Sequence, residues 1–320
     1  MNILVVRTDK LGDFITALPT FYVLKHYDPK NKIIACVAPL NKTLAQSCDF
    51  IDEVIVDNGE NVFDLAKKIK RAKIDASVTL FSNTRVAIAQ FLARIPTRIA
   101  PATKIAQIFY TKRVLQRRSE VKMAEFEYNL ELSKALFSDI NLAYKKPLLE
   151  FNDAKAIYDD FCKKHQITQP IIAFHVGFGG SSDANLNLDE YEVLIREVIK
   201  QGRYQVVLTF GPDEKALYET MQKRLVDVNA LFYLSIEGLV YFAKLVSHFK
   251  LFISTSTGTY HLASLMGTPT MTFFADNLFA SPKRWKSIGE ENFQKYFSLP
   301  RDNENKKIVL EEVKKNLVEL

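Results

Sequence analysis

The stretch RTDKLGDFITALP, residues 7–19, follows an apolar run at residues 3–6 and leads into further apolar residues at helical spacing. A buried strand that turns directly into a helix is the repeating unit of a parallel α/β sheet. Such a turn leaves backbone N–H groups unpaired and usually receives an anionic ligand, yet this chain places the acid Asp13 there. The stretch predicts the fold class and raises the question of what an acidic side chain does at that position.

Short apolar runs alternate with segments of helical period along the rest of the chain, which is the pattern of a doubly wound parallel sheet. The predicted strands are residues 3–6, 32–37, 53–56, 76–80, a fifth starting at 99, and then 171–175, 205–210, 230–233, 251–254 and 270–274. The predicted helices are residues 14–26, 40–48, 62–71, 119–138, 188–201, 215–226, 238–248, 259–266 and 308–320. Because the alternation restarts in the second half, we expect two similar α/β halves with a ligand cleft between them.

Length and composition agree with two domains. The chain has 320 residues, of which 48% are hydrophobic, and a domain usually holds roughly 100–200 residues. The region around Pro147 and Pro170 shows no clear strand. We therefore predict domains at residues 1–155 and 156–320, with the last helix able to pack back on the first domain.

Positive charge is concentrated in one segment. The net charge is only +6, but no acidic residue occurs between Asp75 and Glu120. Eight basic residues fall in that segment, namely Arg85, Arg94, Arg98, Lys104, Lys112, Arg113, Arg117 and Arg118. The segment predicts a surface that binds an anion, and the alternative is a solvated basic face.

The cysteines and the first residues indicate the compartment. Cys36, Cys48 and Cys162 show no C-x-x-C spacing, which favours a reducing environment. Charged residues from position 7 onward interrupt the first apolar run before a signal peptide could form. No run approaches the roughly 20 apolar residues of a spanning helix. We expect a soluble, cytoplasmic protein whose basic face can meet a membrane surface.

One candidate anion site lies in STSTGTYHLASLMGTP, residues 254–269. Ser256, Thr257, Gly258 and Thr259 occupy a predicted turn from strand to helix, where free N–H groups and the helix dipole favour a phosphate. The alternative is ordinary N-capping by Ser or Thr. His261 follows in the first turn, where a packed core histidine is the alternative to a ligand-binding one.

Two further turns could contact a nucleotide. HVGFGGSS, residues 175–182, follows a predicted strand, and Gly177, Gly179, Gly180 and Ser181 could hold a diphosphate. The stretch matches neither the dinucleotide nor the P-loop pattern, so a plain loop stays open as an alternative. In FGPDE, residues 210–214, Glu214 could accept hydrogen bonds from ribose hydroxyls, or it could simply be an acid at a helix start.

Metal chemistry and Ser-His-Asp hydrolysis have no sequence support. The five histidines are scattered without metal-ligand spacing, and neither a D-x-D pair nor a G-x-S-x-G turn is present. We predict no metal. Nucleic-acid binding is also disfavoured, because no recognised binding motif accompanies the positive charge.

Together, ILVVRTDKLGDFITALP, HVGFGGSS with LNLDEYEVLI, FGPDE, and STSTGTYHLASLMGTPTMTFF with KRW resemble glycosyltransferase family 9, the bacterial heptosyltransferases of lipopolysaccharide core synthesis. The motifs occur in the family's order and cover nearly the whole chain. The resemblance implies a GT-B fold, in which two Rossmann-like domains face a central cleft. It further implies that the N-terminal domain binds the acceptor, that the C-terminal domain binds a nucleotide sugar, and that transfer is inverting and metal-independent.

The resemblance also assigns residues. Asp13 matches the family's catalytic base, and Glu214 resembles the acid that holds the donor ribose. Residues 256–259 and His261 match its D-T-G-x-x-H donor-binding turn. This chain departs from the family in two places, because Ser256 replaces the usual Asp and Asn185 stands where a Lys is common. Other groups would then contact the donor phosphates, and the candidates are Lys283, Arg284 and backbone N–H groups.

The predicted activity is transfer of a heptose or related sugar from an ADP-linked donor, with no other cofactor, to a lipopolysaccharide or lipooligosaccharide core. An anionic glycolipid acceptor at the inner membrane face would bind the basic segment. The residues assigned to the acceptor are Arg94, Arg98, Lys104, Arg113, Arg117 and Arg118. The alternatives are a relative that uses another nucleotide sugar and a catalytically silent protein that binds nucleotides or glycans.

Overall fold

The computed structural model describes residues 1–103, 105–178 and 185–320. Four residues assigned to binding, Lys104, Gly179, Gly180 and Ser181, lie outside the described residues. The chain forms two compact units, Met1–Lys145 and Lys146–Leu320. The segment from Lys146 onward belongs to the second unit.

The first unit is built on a six-stranded parallel sheet. Its strands are β1 (Asn2–Arg7), β2 (Lys32–Val37), β3 (Glu53–Val56), β4 (Ala76–Thr79), β5 (Thr97–Pro101) and β6 (Lys112–Val114). The order across the sheet is β3-β2-β1-β4-β5-β6, the arrangement of a Rossmann fold. Its helices are α1 (Leu11–Tyr27), α2 (Lys42–Gln46), α3 (Val62–Arg71), α4 (Thr84–Leu92) and α5 (Glu125–Lys134).

The second unit repeats this topology. Its strands are β7 (Ile171–His175), β8 (Gln205–Phe210), β9 (Ala230–Leu234), β10 (Leu251–Thr255), β11 (Thr270–Ala275) and β12 (Gln294–Leu299). All pairs are parallel in the order β9-β8-β7-β10-β11-β12. Its helices are α6 (Ala154–Lys164), α7 (Leu188–Lys200), α8 (Lys215–Arg224), α9 (Leu239–Val246), α10 (Gly258–Leu265), α11 (Pro282–Trp285) and α12 (Asn303–Val318).

Apolar burial explains why these elements form. The central strands β1 and β7 are buried almost throughout, as expected for parallel strands covered on both faces. The last helix, α12, packs against α7 and β12, and its Val313 and Leu317 belong to the core of the second unit. Those two side chains fix the helix on its own unit.

Five elements of the structure are not predicted from the sequence, and one predicted helix is too long. The unpredicted elements are α4, β6, α6, α11 and β12. The helix predicted over residues 119–138 is limited to α5, preceded by a 3₁₀ turn at Arg118–Glu120. Val121, which follows that turn, has a positive φ of 44°, a conformation that a helix cannot contain.

Candidate functional site

Each sheet has a switch point, where the chain connections reverse direction between two neighbouring strands. In an open parallel α/β sheet, ligands bind beyond the carboxyl ends of the strands at this point. We call the side on which the strands end the carboxyl edge and the opposite side the amino edge. The switch point lies between β1 and β4 in the first unit and between β7 and β10 in the second. Asp13 follows β1, and the residue 256–259 turn follows β10.

At the first switch point, a buried arginine contacts three carboxylates. Arg7, the last residue of β1, is 1% exposed. Its guanidinium donates to Asp9 at 2.8 Å, to Asp13 at 2.5 Å and to Glu125 at 3.2 Å. Asn129, one helical turn after Glu125, accepts a longer bond of 3.4 Å. We call these five residues the Arg7 cluster. α5 contributes Glu125 and Asn129 because it packs along α1.

Asp13, like Asp9, combines an ion pair to Arg7 with access to solvent. It lies in the first turn of α1, and its side chain is 21% exposed. The Oδ1 atom accepts the bond from Arg7, and Oδ2 accepts none from the described residues. The Asp13 side chain does not cap α1, because its bond goes to Arg7 rather than to the N–H groups at the helix N-terminus. One carboxylate oxygen is therefore held while the other remains available.

Burial and charge set the protonation of the cluster. Burial acts to lower the pKa of Arg7, but Asp9, Asp13 and Glu125 outweigh it and raise that pKa above its ordinary value. Burial raises the pKa of Asp9 to about 6; Arg7 opposes this shift and Asp13 adds to it. Asp9 is thus a carboxyl group that can carry a proton close to neutral pH.

We expect Asp9→Asn to gain stability relative to the native chain as the pH rises. The folded pKa of Asp9, about 6, lies above its unfolded value. The folded state therefore binds this proton more tightly than the unfolded state does. The resulting contribution to the unfolding free energy is fully present below the unfolded pKa of Asp9 and is lost as the pH rises through about 6. Asparagine stays neutral. The unfolding free energy of Asp9→Asn minus that of the native chain should therefore rise by up to about 3 kcal/mol between about pH 4 and pH 7. Urea unfolding of both chains across this range measures it, and a flat difference contradicts the assignment.

The structure separates the basic residues that were assigned to the acceptor. Arg117 and Arg118 follow β6 at the carboxyl edge, and Arg118 pairs with Glu125 at 2.5 Å. Arg94 and Arg98 lie at the amino edge, where Arg98 donates to the carbonyl oxygens of Ile95 and Phe109. Arg113 is exposed within β6. Among the assigned residues that the structure describes, Arg117 and Arg118 therefore share an edge with Asp13.

A cavity of about 390 Å³ lies beside Arg117. Its lining includes Leu115, Lys122, Met123 and Tyr128. Glu131 also lines the cavity. The two cationic side chains outnumber this acid, so the cavity suits an anionic, partly apolar ligand.

In the second unit, α10 presents an uncapped N-terminus at the switch point. Thr257 is the N-cap residue, but its side chain makes no capping bond. Its Oγ1 lies 2.8 Å from Oγ1 of Thr259 instead. The capping alternative therefore does not hold for Thr257, and the first N–H groups of α10 remain available to an anion. Gly258 opens the helix without a side chain that would obstruct a phosphate.

His261 lies one turn into α10 and is 3% exposed. Burial lowers its pKa to about 3, so the ring is neutral at physiological pH. Its Nδ1 has no hydrogen-bond partner within residues 1–103, 105–178 and 185–320. The ring also lies 6.4 Å from that of Trp285 in an edge-on contact. A buried ring nitrogen of this kind requires a partner.

Glu214 lies at the carboxyl ends of β7 and β8. Its Oε2 accepts a 2.7 Å bond from the Gly211 N–H and lies 3.8 Å from Nε2 of His175. Burial lowers the pKa of His175, and the Glu214 carboxylate acts in the opposite sense. A Cβ on Gly177 would lie 1.8 Å from Oε1 of Glu214. The glycine is therefore needed for the carboxylate to occupy this position.

The two departures from the family pattern have different surroundings. Ser256 donates its backbone N–H to the Phe273 carbonyl at 2.9 Å. Near Asn185, the ammonium group of Lys306 on α12 lies 3.4 Å from the Asn185 carbonyl and 2.7 Å from Glu190. Lys306 therefore lies beside Asn185 while its charge is paired with Glu190.

Sequence reasoning missed Arg7, Asp9, Glu125, Asn129 and His175. Arg7 could have been identified as a charged residue at the end of an apolar strand. His175 could have been identified in the same way, as a histidine at the end of β7. Nothing local marks Glu125, which is 118 positions from Arg7. Among the described residues, no group of three or more His, Cys, Asp or Glu side chains could hold a metal ion. None of their helices is both long and apolar enough to cross a bilayer.

Comparison with solved structures identifies the fold. E. coli ADP-heptose lps heptosyltransferase II superimposes with a TM-score of 0.81 at 18% identity, covering 100% of this chain and 99% of that one. E. coli heptosyltransferase WaaC with ADP gives 0.75 at 17% identity, covering 100% and 99%. A glycosyl transferase of family 9 from Veillonella parvula gives 0.78 at 17% identity, covering 98% and 89%. At these identities the likeness establishes the fold, which confirms the predicted α/β class.

Sequence comparison establishes the family. A Haemophilus influenzae protein that is provisionally named a glycosyltransferase is 34% identical over 319 residues, covering 95% of this chain and 91% of that protein. The sequence profile of glycosyltransferase family 9 (heptosyltransferase) matches residues 62–315. This chain is therefore a glycosyltransferase and belongs to family 9.

Proposed function

We propose that this chain is an inverting, metal-independent glycosyltransferase that moves a heptose or a related sugar from an ADP-linked donor to an anionic lipopolysaccharide or lipooligosaccharide core. Its family carries the heptosyltransferase description. Solved structures of the same fold include an ADP-heptose lps heptosyltransferase and a heptosyltransferase with ADP. The observation that carries the proposal is the Asp13 carboxylate, held by buried Arg7 and partly exposed at the first switch point.

Asp13 acts as the general base in this proposal. Its Oδ2 takes the proton from an acceptor hydroxyl, and that oxygen forms a bond to the anomeric carbon of the donor. The bond from this carbon to the diphosphate oxygen breaks on the opposite face, so the configuration inverts and the diphosphate leaves with the electron pair. Arg7 orients the base, because its bond to Oδ1 at 2.5 Å fixes the carboxylate.

The second unit binds the donor. The free N–H groups at Gly258 and Thr259 stabilise negative charge as it grows on the leaving diphosphate. His261 supplies Nδ1 as a hydrogen-bonding group, and Glu214 accepts bonds from ribose hydroxyls. Lys306 lies at the Asn185 carbonyl and pairs with Glu190, so a donor phosphate bound there would share this lysine with that carboxylate.

The first unit binds the acceptor at its carboxyl edge. Arg117, Lys122 and the apolar wall of the 390 Å³ cavity suit a phosphorylated or carboxylated glycolipid core. Arg118 contributes both to this surface and to the Arg7 cluster through Glu125.

A donor with another nucleotide or sugar is a second candidate, and Ser256 is the residue that favours it. The family usually has an aspartate there, and a hydroxyl would select different donor groups. Purified protein tested against a panel of nucleotide sugars separates these possibilities. The true donor should raise the unfolding free energy by about 2.7 kcal/mol at a hundredfold excess over Kd, and it should release a nucleoside diphosphate when core acceptor is added. Stabilisation without release on any acceptor would indicate a silent binding protein.

Gly177→Ala should weaken donor binding without unfolding the protein. The new Cβ would meet Oε1 of Glu214 at 1.8 Å, so the carboxylate must leave its position. We expect the donor Kd to rise about tenfold. Gly211→Ala is the matched control, because its Cβ would lie 3.5 Å from Glu214 in ordinary contact, and its Kd should stay within about twofold. Equal affinities for the two variants would remove Glu214 from donor binding.

A further inference from the structure

An exposed apolar surface lies on the first unit away from the Arg7 cluster. It is formed by Phe91 and Leu92 at the end of α4 and by Ile105 and Ile108 on the 3₁₀ helix Ile105–Phe109. We call these four residues the α4 patch. Phe91, Ile105 and Ile108 are 50%, 73% and 65% exposed. Soluble proteins seldom group such side chains on one surface unless the surface binds a partner.

The two helical pieces of the patch lie side by side. Buried Ala87 of α4 packs with Ala106 of the 3₁₀ helix and with Ala100 of β5. The rings of Phe91 and Phe109 meet edge-on at 5.7 Å. In a 3₁₀ helix, residues three apart point in the same direction, so Ile105 and Ile108 share the outer face while Ala106 faces inward. The apolar side chains thus form one surface rather than isolated exposures.

Sheet register places arginines on the same side. Arg113 of β6 pairs with Ala100 of β5, and paired residues of neighbouring strands point to the same face. Because Ala100 packs under the patch, Arg113 points to that side. Arg98 follows the same alternation, and its guanidinium lies 5.6 Å from the Phe91 ring centre. Arg94, two residues beyond the patch, is exposed as well.

The charge pattern decides what the patch binds. Residues 76–119 contain eight basic residues and no acidic one. Acids from elsewhere in the first unit pair with Arg85, Arg117 and Arg118, whereas Arg94, Arg98 and Arg113 form no ion pair with the residues that the structure describes. Apolar side chains surrounded by uncompensated arginines match the boundary of an anionic bilayer, where the apolar groups enter the acyl region and the arginines meet phosphates. A second copy of this chain would bring the same positive charge and would be repelled.

We propose that the α4 patch, with Arg94, Arg98 and Arg113 around it, is a docking surface for an anionic lipid bilayer. This inference goes beyond the proposed transfer reaction, because it concerns a surface at some distance along the sheet from Asp13 and requires no donor. It would bring the enzyme to the membrane in which a glycolipid acceptor is embedded.

Vesicle flotation of the full-length protein tests the proposal. The native chain should float with vesicles of phosphatidylethanolamine and phosphatidylglycerol at low salt, but not with phosphatidylcholine alone. Ile105→Ser with Ile108→Ser should lower the bound fraction about tenfold, and Arg94→Gln with Arg113→Gln should weaken binding and its dependence on salt. Val226→Ser with Ile236→Ser, at positions 83% and 72% exposed in the second unit, is the matched control and should bind as the native chain does.

Further readouts separate this proposal from the transfer reaction. The isoleucine variant should melt at the native temperature and transfer sugar to a detergent-free soluble core at the native rate. Native binding to anionic vesicles by the isoleucine variant, or equal binding of the native chain to neutral vesicles, would overturn the proposal. So would a dimer in sedimentation that the isoleucine substitutions dissociate, since the patch would then bind a second copy. Failure of transfer with intact vesicle binding would instead count against the proposed function alone.

Discussion

Asp13→Asn should lower turnover by about 10²–10⁴, the usual contribution of a general base, while leaving donor affinity unchanged. The asparagine keeps the shape of the side chain and can still accept a bond from Arg7 through its oxygen. It cannot take a proton from the acceptor hydroxyl, so only the chemical step should slow. Initial rates of nucleoside diphosphate release at saturating donor and acceptor measure the effect, and donor titration measures affinity.

The control for this substitution is Asp49→Asn, an exposed acid on the same unit that should leave the rate unchanged. Thermal unfolding of both variants establishes that the fold is intact. An Asp13→Asn rate within about twofold of the native rate would exclude Asp13 as the base. The proton acceptor would then have to be sought in another residue of the Arg7 cluster, with Asp9 the first candidate.

Arg7→Met should destabilise the first unit by about 3–5 kcal/mol, the cost of leaving buried charges without their partner. The Arg7 side chain is 2% exposed and contacts three carboxylates, of which Glu125 is 4% exposed. Methionine fills much of the volume but supplies no charge or hydrogen bonds. Urea unfolding midpoints, together with the slope of each transition, give the free energy.

Two further variants show whether charge is the cause. Arg7→Met combined with Glu125→Gln should recover part of the lost stability, because one uncompensated carboxylate is removed. Arg117→Met removes a 67% exposed arginine from its pair with Glu120 and should change stability by less than about 1 kcal/mol. Equal stability of Arg7→Met and Arg117→Met would contradict the role given to the Arg7 cluster.

The elements that the sequence predicts are those whose burial is uniform. β1 and β2 lie within one or two residues of their predictions because their runs are apolar and buried on both faces. The strand β12 alternates between buried and exposed positions, and β6 contains only Lys112, Arg113 and Val114. Both are edge strands of their sheets, where one side faces no neighbouring strand and the apolar signal weakens.

The helix α4 escaped prediction for a different reason. Its sequence, TRVAIAQFL, is apolar on its inner face and also at Phe91 and Leu92 on the outside, so no amphipathic period marks it. The same outward apolarity identifies the α4 patch once the structure is known. The irregular pattern therefore marks the surface that we propose as a docking site.

The residues of the candidate site also fall into two groups, those that the local sequence marks and those that it does not. The sequence predicts Asp13 and the residue 256–259 turn as candidates because a strand-to-helix turn is local and can be recognised from neighbouring residues. The partners that shape Asp13 could not, because Glu125 and Asn129 come from α5, more than a hundred positions away. In the basic segment, residues 76–119, the opposite occurs: neighbours in sequence are separated in the structure. Its residues are close in sequence, but the sheet sends Arg98 to one edge and Arg118 to the other.

The stereochemistry of the product tests the central claim most directly. The full-length protein would be incubated with the donor found in the panel and with core acceptor, and the new linkage would be examined by the anomeric proton and carbon signals in NMR. A single displacement with Asp13 as base gives a product whose anomeric configuration is opposite to that of the donor. A product with the donor's configuration retained, or release of free sugar without transfer to the acceptor, would contradict the account.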